Sequence, residues 1–225
     1  MEKLQMSATQ NSNFINGEWS NNGQAFDSIN PSNINDCLGS FSAATSDDCN
    51  LAIQSAKNAF QKWSLSSLEE RKKILDFIGS ELIAKSPELG EIIAKEEGKP
   101  LAEGIGEVYR SGQFFQYFGA EVLRQMGEIT SSVRANINVE VTREPLGVIG
   151  VITPWNFPIA VAAWKIAPAL AYGNCVVLKP SEIVPASAVA FAKIMEKSGL
   201  PKGVFNCIQG SRNTCWSGTF SIKRY

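Results

Sequence analysis

Two short stretches put side chains capable of chemistry at the ends of apolar runs. In "VITPWNFP" (151–158), Asn156 lies between Pro154 and Pro158. The two rings stiffen the backbone on either side of it, and Pro158 biases Phe157 away from the helical region. An asparagine amide offers two N–H donors without a titrating charge, which suits it to an oxygen that becomes negative during a reaction. The plainer reading is that Asn156 caps the helix beginning near Pro158 or ties down the turn. In "VVLKPSE" (176–182), Lys179 and Glu182 follow an apolar run. A carboxylate there can accept from ribose hydroxyls and an ammonium beside it can donate to the same sugar. A solvated strand exit is the alternative, and the local pattern leaves both open.

Other chemistries are excluded by composition. The 225 residues contain no histidine, which removes imidazole metal ligands and any Ser-His or Cys-His pair. The cysteines (Cys37, Cys49, Cys175, Cys207, Cys215) are odd in number and lack a Cys-x-x-Cys pair, against both a disulfide framework and a metal knuckle. With 21 Lys+Arg against 22 Asp+Glu and no basic cluster, nucleic acid is not expected as a partner. The longest apolar run, Phe157 to Ala171, is broken by Lys165 and holds Pro158 and Pro168. It falls short of the roughly 20 residues of a bilayer span, so no membrane partner is expected. The opening "MEKLQMSATQNSN" does not read as a secretory signal, and a cytoplasmic location is the default.

The elements that must position Asn156, Lys179 and Glu182 follow from periodicity. Residues 1–126 read as short strands and turns followed by helices. Ile53, Ala56, Phe60 and Trp63 form one apolar stripe, and Leu75, Ile78 and Leu82 form another behind a Ser67–Glu70 capping box. Ser86-Pro87 starts a third helix, which Gly98 stops, and a fourth runs from about Leu101 toward Arg124. Across 127–145 the period becomes two, which predicts a long strand or a hairpin turning near 135–138, with one wet face. Across 146–211, the runs "GVIGVI", "CVVLK" and "GVFNCI" alternate with helical segments. That alternation predicts parallel βαβαβ, each strand apolar on both faces, with ligands outside the C-terminal strand ends.

These residues carry a resemblance. "FINGEW" (14–19), "EPLGVIGVITPWNFP" (144–158), "WKIAPALAYGNCVVLKPSE" (164–182) and "SGLPKGVFNCIQGS" (198–211) are similar to the N-terminal portion of the NAD(P)-dependent aldehyde dehydrogenases. The resemblance implies an α/β fold with a partial Rossmann-like parallel sheet, flanking helices and a β-hairpin oligomerisation arm, hence a homo-oligomer. It implies that Asn156 helps hold the oxyanion, that Lys179 and Glu182 meet the adenosine ribose, and that Ile152, Thr153, Pro154 and Trp155 flank the coenzyme. NAD is the expected coenzyme, because a Glu182 carboxylate repels a 2′-phosphate; NADP stays open through Lys179.

The end "NTCWSGTFSIKRY" departs from the family's glycine-rich continuation. Reading the Cys-Trp codons one nucleotide later restores a small apolar residue and a glycine, so 212–225 is expected to be an out-of-frame tail and Cys215 not to be the nucleophile. The family's cysteine and general-base glutamate find no counterpart here. The resulting expectation is a truncated chain that binds NAD weakly or not at all and is inactive alone, with aldehyde oxidation left to an intact parent. A non-catalytic interaction module, or an oligomer partner of a full-length dehydrogenase, is the alternative.

Overall fold

In the computed structural model, which describes residues 12–124 and 127–211, the three apolar runs become parallel neighbours. They are β7 (Val148–Ile152), β8 (Cys175–Lys179) and β9 (Phe205–Cys207), joined by α5 (Ala160–Ala171) and α6 (Pro185–Lys197). The sheet is larger than the sequence pattern predicts. β1 (Asn13–Ile15) pairs antiparallel with β9, and β2 (Glu18–Ser20) extends it, giving the order β2-β1-β9-β8-β7 among the described residues. The β1–β2 turn is Asn16-Gly17, both at positive φ (53° and 77°), the geometry of the two-residue hairpin turns that match strand twist. β3 (Ala25–Ile29) and β4 (Cys37–Ser42) form a separate two-stranded sheet.

β8 and β9 are buried along their length, as continuous apolar runs require. β7 corrects the expectation of two covered faces: Val151 is buried, but Gly150 and Ile152 are exposed. It is the end strand of the order, and strand order cannot be read from the composition of a run.

α1 (Ser46–Trp63) packs directly on β7, β8 and β9, while α2 (Leu68–Ala84), α3 (Ser86–Glu97) and α4 (Leu101–Glu121) pack on one another and on α5 and α6. The predicted stripe residues Leu75, Ile78 and Leu82 are fully buried, as are Ile93 of α3 and Val108 and Phe115 of α4. The capping predictions need correction. Ser67 accepts from the Glu70 amide, but the reciprocal box belongs to Thr45 and Asp48 at α1. Ser86-Pro87 does open α3, with the Ser86 hydroxyl donating back to the Ile83 carbonyl. Gly98 does end α3, at φ 83°. α4 lies against α3 with backbones nearly touching: a Cβ on Gly104 would stand 2.5 Å from the Gly90 carbonyl oxygen. That closeness fixes the height of α4, and with it the side chains that α4 sends toward α5.

The alternating stretch folds as the hairpin β5 (Glu128–Ser131) and β6 (Asn138–Val141). Its predicted dry face is not covered by the described residues: all eight strand residues are exposed. No described helix is long and apolar enough to cross a membrane.

Candidate coenzyme and oxyanion site

The sheet brings the two chemically capable stretches to one edge. Parallel register pairs Ile152 with Lys179, and the Thr153 amide continues the ladder by donating to the Lys179 carbonyl at 3.2 Å. The 153–157 turn and the 180–182 turn therefore leave the sheet side by side at its C-terminal end, where open α/β sheets receive ligands.

In the first turn, Ile152, Trp155 and Phe157 are about half exposed, and Pro154 and Asn156 are exposed. Thr153 is buried at 4 % exposure, and its hydroxyl has no hydrogen-bond partner among the described residues. The reading of Asn156 as a helix cap does not hold. α5 begins with Ile159 in the N-cap position and no side-chain cap of its own, and its first amides are taken by a residue from another helix. Glu107 Oε1 accepts from the Ile159 and Ala160 amides at 3.0 and 3.1 Å. Glu107 Oε2 holds Lys99 at 2.8 Å, and Lys99 also pairs with Glu97 at 2.9 Å. The Lys99 ammonium donates to the Asn156 carbonyl at 3.0 Å and lies 4.3 Å from the centre of the Phe157 ring. Burial pulls the Lys99 pKa down, but Glu107 and Glu97 outweigh it and leave the ammonium above its ordinary value.

α6 repeats the device. Glu96, 2 % exposed, accepts from the Ala186 amide (2.7 Å), the Ser187 amide (2.8 Å), the Ser187 hydroxyl (2.6 Å) and the Ser28 hydroxyl (2.9 Å). Burial pushes its pKa up, and the four donors offset only part of that. Helix N-termini after parallel strands are ready-made phosphate sites. At α5 and α6 both are filled here by carboxylates of the chain itself.

At the second turn, Lys179 is 8 % exposed and donates to the Pro180 carbonyl at 2.9 Å and to Glu182 at 3.3 Å. Burial alone would raise the Glu182 pKa, yet its own backbone amide and Lys179 bring it below the ordinary value, so the carboxylate is charged at neutral pH. Glu182 opens on a cavity of about 510 Å³, shared with Gly210, Ser211 and the segments 23–26 and 43–46. That volume is of the size that holds a small-molecule group. Asn156, Thr153 and Trp155 do not line it. An ammonium–carboxylate pair beside a cavity, with a buried unpartnered hydroxyl one strand away, fits the ribose and its flanking groups.

Glu96, Glu107 and Lys99 were not among the sequence candidates. Their signal was faint: Glu96 continues the Leu89–Ile93 stripe of α3, and Glu107 sits beside Val108 on the buried face of α4, where a lone charge needs a partner. Among the described residues no cluster of His, Cys, Asp or Glu could hold a metal. Cys215 lies outside the described residues.

Comparison with known proteins places this geometry. The Aldehyde dehydrogenase family matches residues 19–218. The alpha-ketoglutarate semialdehyde dehydrogenase of Haloferax volcanii is 38% identical over 200 residues, 88% of this chain and 42% of that protein. The NADP(+) succinate-semialdehyde dehydrogenase of Escherichia coli is 39% identical over 199 residues, 88% of this chain and 41% of that protein. Among solved structures, the betaine aldehyde dehydrogenase of Staphylococcus aureus in complex with NAD+ superimposes with a TM-score of 0.87 at 34% identity, over 91% of this chain and 41% of that one. The chain thus spans about two fifths of the length of these relatives.

These findings correct two expectations. The family match runs on past Ser211 to residue 218, into the stretch expected to be an out-of-frame tail, so the family pattern does not stop where that tail was expected to begin. The frame argument rested on a few positions, whereas the match weighs the whole pattern. The fold also reaches beyond the partial sheet expected: the Rossmann-like, NAD(P)-binding architecture with its flanking helices is matched over nine tenths of this chain, and over 42–43% of the solved chains.

Proposed function

Since this chain belongs to the aldehyde dehydrogenase family, we propose that it serves the NAD(P)-dependent oxidation of an aldehyde to a carboxylic acid, holding the coenzyme at the β7 and β8 exits. The expectation of an inactive chain dependent on an intact parent is withdrawn, because the family match and the superposition run through almost all of it. When bound, the dinucleotide supplies the hydride acceptor. In this reading Lys179 and Glu182 bind the adenosine ribose, and Ile152, Thr153, Pro154 and Trp155 flank the coenzyme along the β7 exit. In the family's reaction a thiolate adds to the aldehyde carbon, hydride leaves to the coenzyme and water then releases the acid; the Asn156 amide would donate to the aldehyde oxygen as the thiolate adds and negative charge builds on it.

One observation carries the reading. The Asn156 turn is tied at its backbone to Lys99, while its side-chain amide is exposed and makes no hydrogen bond among the described residues. A donor held ready without a partner of its own is what oxyanion stabilisation needs. NAD is favoured over NADP because Glu182 stays ionised; the relatives include a structure with NAD+ and an NADP-dependent enzyme. The exposed hairpin 127–145 is proposed as an assembly arm.

The test is calorimetric titration of the purified chain with NAD and NADP, followed by NADH formation with a panel of simple aldehydes and semialdehydes. Asn156→Ala is expected to lower kcat by roughly a hundredfold or more without shifting the melting temperature. Full turnover in that variant, or absence of dinucleotide binding in the wild type, would overturn the proposal.

A further inference from the structure

One ion pair ties down both ends of the Asn156 turn. Lys99 Nζ meets the Asn156 carbonyl at 3.0 Å, and its partner Glu107 meets the Ile159 and Ala160 amides at 3.0 and 3.1 Å. The circuit from Asn156 through Lys99 and Glu107 to α5 spans residues 156–160 with side chains from one short stretch, 99–107. Both are shielded, with side-chain exposures of 8 % and 1 %, and the Lys99 ammonium also lies against the Phe157 ring. We propose that Lys99 and Glu107 are positioning residues for the Asn156 amide: the pair fixes the plane of the 156–157 peptide and so the direction in which the amide points. The proposal rests on the reading of Asn156 given above for its consequence in catalysis, though not for its geometry.

The chemistry explains the residue types. A carboxylate can accept from two backbone amides with one oxygen and pair with an ammonium through the other. The ammonium donates to Glu107 and to the Asn156 carbonyl, and its charge also faces Glu97 at 2.9 Å. The negative charge at the start of α5 also suits the helix dipole. A methionine at position 99 would fill the space and leave the Asn156 carbonyl and the buried Glu107 oxygen without their donor.

Nuclear magnetic resonance of the isotopically labelled chain decides the geometry. Lys99→Met is expected to move the Asn156 carbonyl carbon and Phe157 amide nitrogen resonances. It should also speed exchange of the Ile159 and Ala160 amides about tenfold, leaving the Val176–Leu178 amides of β8 unchanged. Lys99→Arg should restore most of both effects. Resonances of 156–157 that do not move, or exchange accelerated evenly across the sheet, would overturn the clamp. Should Lys99→Met fail to fold, the wild type still decides: ammonium protons of Lys99 in contact with the Phe157 ring support the proposal, and their absence refutes it. In turnover assays, Lys99→Met should lower kcat about tenfold with the KM for the dinucleotide nearly constant, because orientation and not binding is lost. Equal kcat in variant and wild type refutes the positioning role. A wild type without NADH formation sinks the proposed function alone, and the resonance data then judge the clamp by themselves.

Discussion

Cys175 and Cys207 lie on adjacent buried strands, and burial pushes both thiols up to about 12. Each is therefore protonated and unreactive at neutral pH, whereas Cys37 on β4 is exposed. Native-state labelling with a maleimide, read by peptide mass, should modify Cys37 on the order of a hundredfold faster than Cys175 or Cys207. Equal labelling of the three would mean that the sheet opens readily. At Glu182 the sign is opposite, and the depressed pKa keeps the charge in place. Glu182→Gln should raise NADP affinity relative to NAD by roughly tenfold, and the wild-type preference should be flat from about pH 6 to 9. Paired titrations with the two coenzymes check both statements.

The helix caps set the behaviour of whole elements. Glu96 has a raised pKa, so the folded chain holds its proton more tightly than the unfolded chain does. Its contribution to stability is then greatest below the ordinary glutamate value of about 4.3 and is lost as pH rises through the raised folded value. Glu96→Gln should abolish that slope. At neutral pH it should also cost about 1–3 kcal/mol, because an amide NH2 cannot accept from the Ser187 amide and hydroxyl as the carboxylate does. Urea unfolding of both proteins across pH measures the difference. Gly104→Ala should likewise destabilise, by about 1–3 kcal/mol, through the contact with Gly90. Much of this scale was legible beforehand. The 3.6-residue stripes of α1 and α2, the start and stop signals of α3 and the three apolar strand runs stand plainly in the chain, and a stiff turn after an apolar run pointed to Asn156. The carboxylates were not legible, since a glutamate in a helix reads as solvated unless the neighbouring layer is known. Nor was the exposure of β7, which depends on strand order.

At the scale of the whole molecule, the hairpin stands apart from the core. Ile129 is 80% exposed and Val133 fully so, and Ile137, Val139 and Val141 are exposed beside them. An apolar strand pair that none of the described residues covers is an invitation to pair with another surface. Ile129→Lys together with Val133→Lys should reduce the mass seen by light scattering while changing unfolding free energy by less than about 0.5 kcal/mol per site. An unchanged mass would remove the hairpin from any assembly contact. The position of β1 bears on a different property, the order in which the protein is built. Phe14 pairs with Cys207, the Gln209 amide donates to Asn13 at 2.8 Å, and the Asn16 amide donates to Asn206 at 2.9 Å. A ribosome makes residues 13–16 first, yet their strand partner is among the last described residues to emerge. During synthesis β1 and β2 therefore wait as an unmatched hairpin while the helices close locally. Long-range pairings of this kind are the slow steps of folding. On nascent chains of increasing length, protection of the β1 amides should arrive only after residue 209 has cleared the exit tunnel, well after that of α2 and α4.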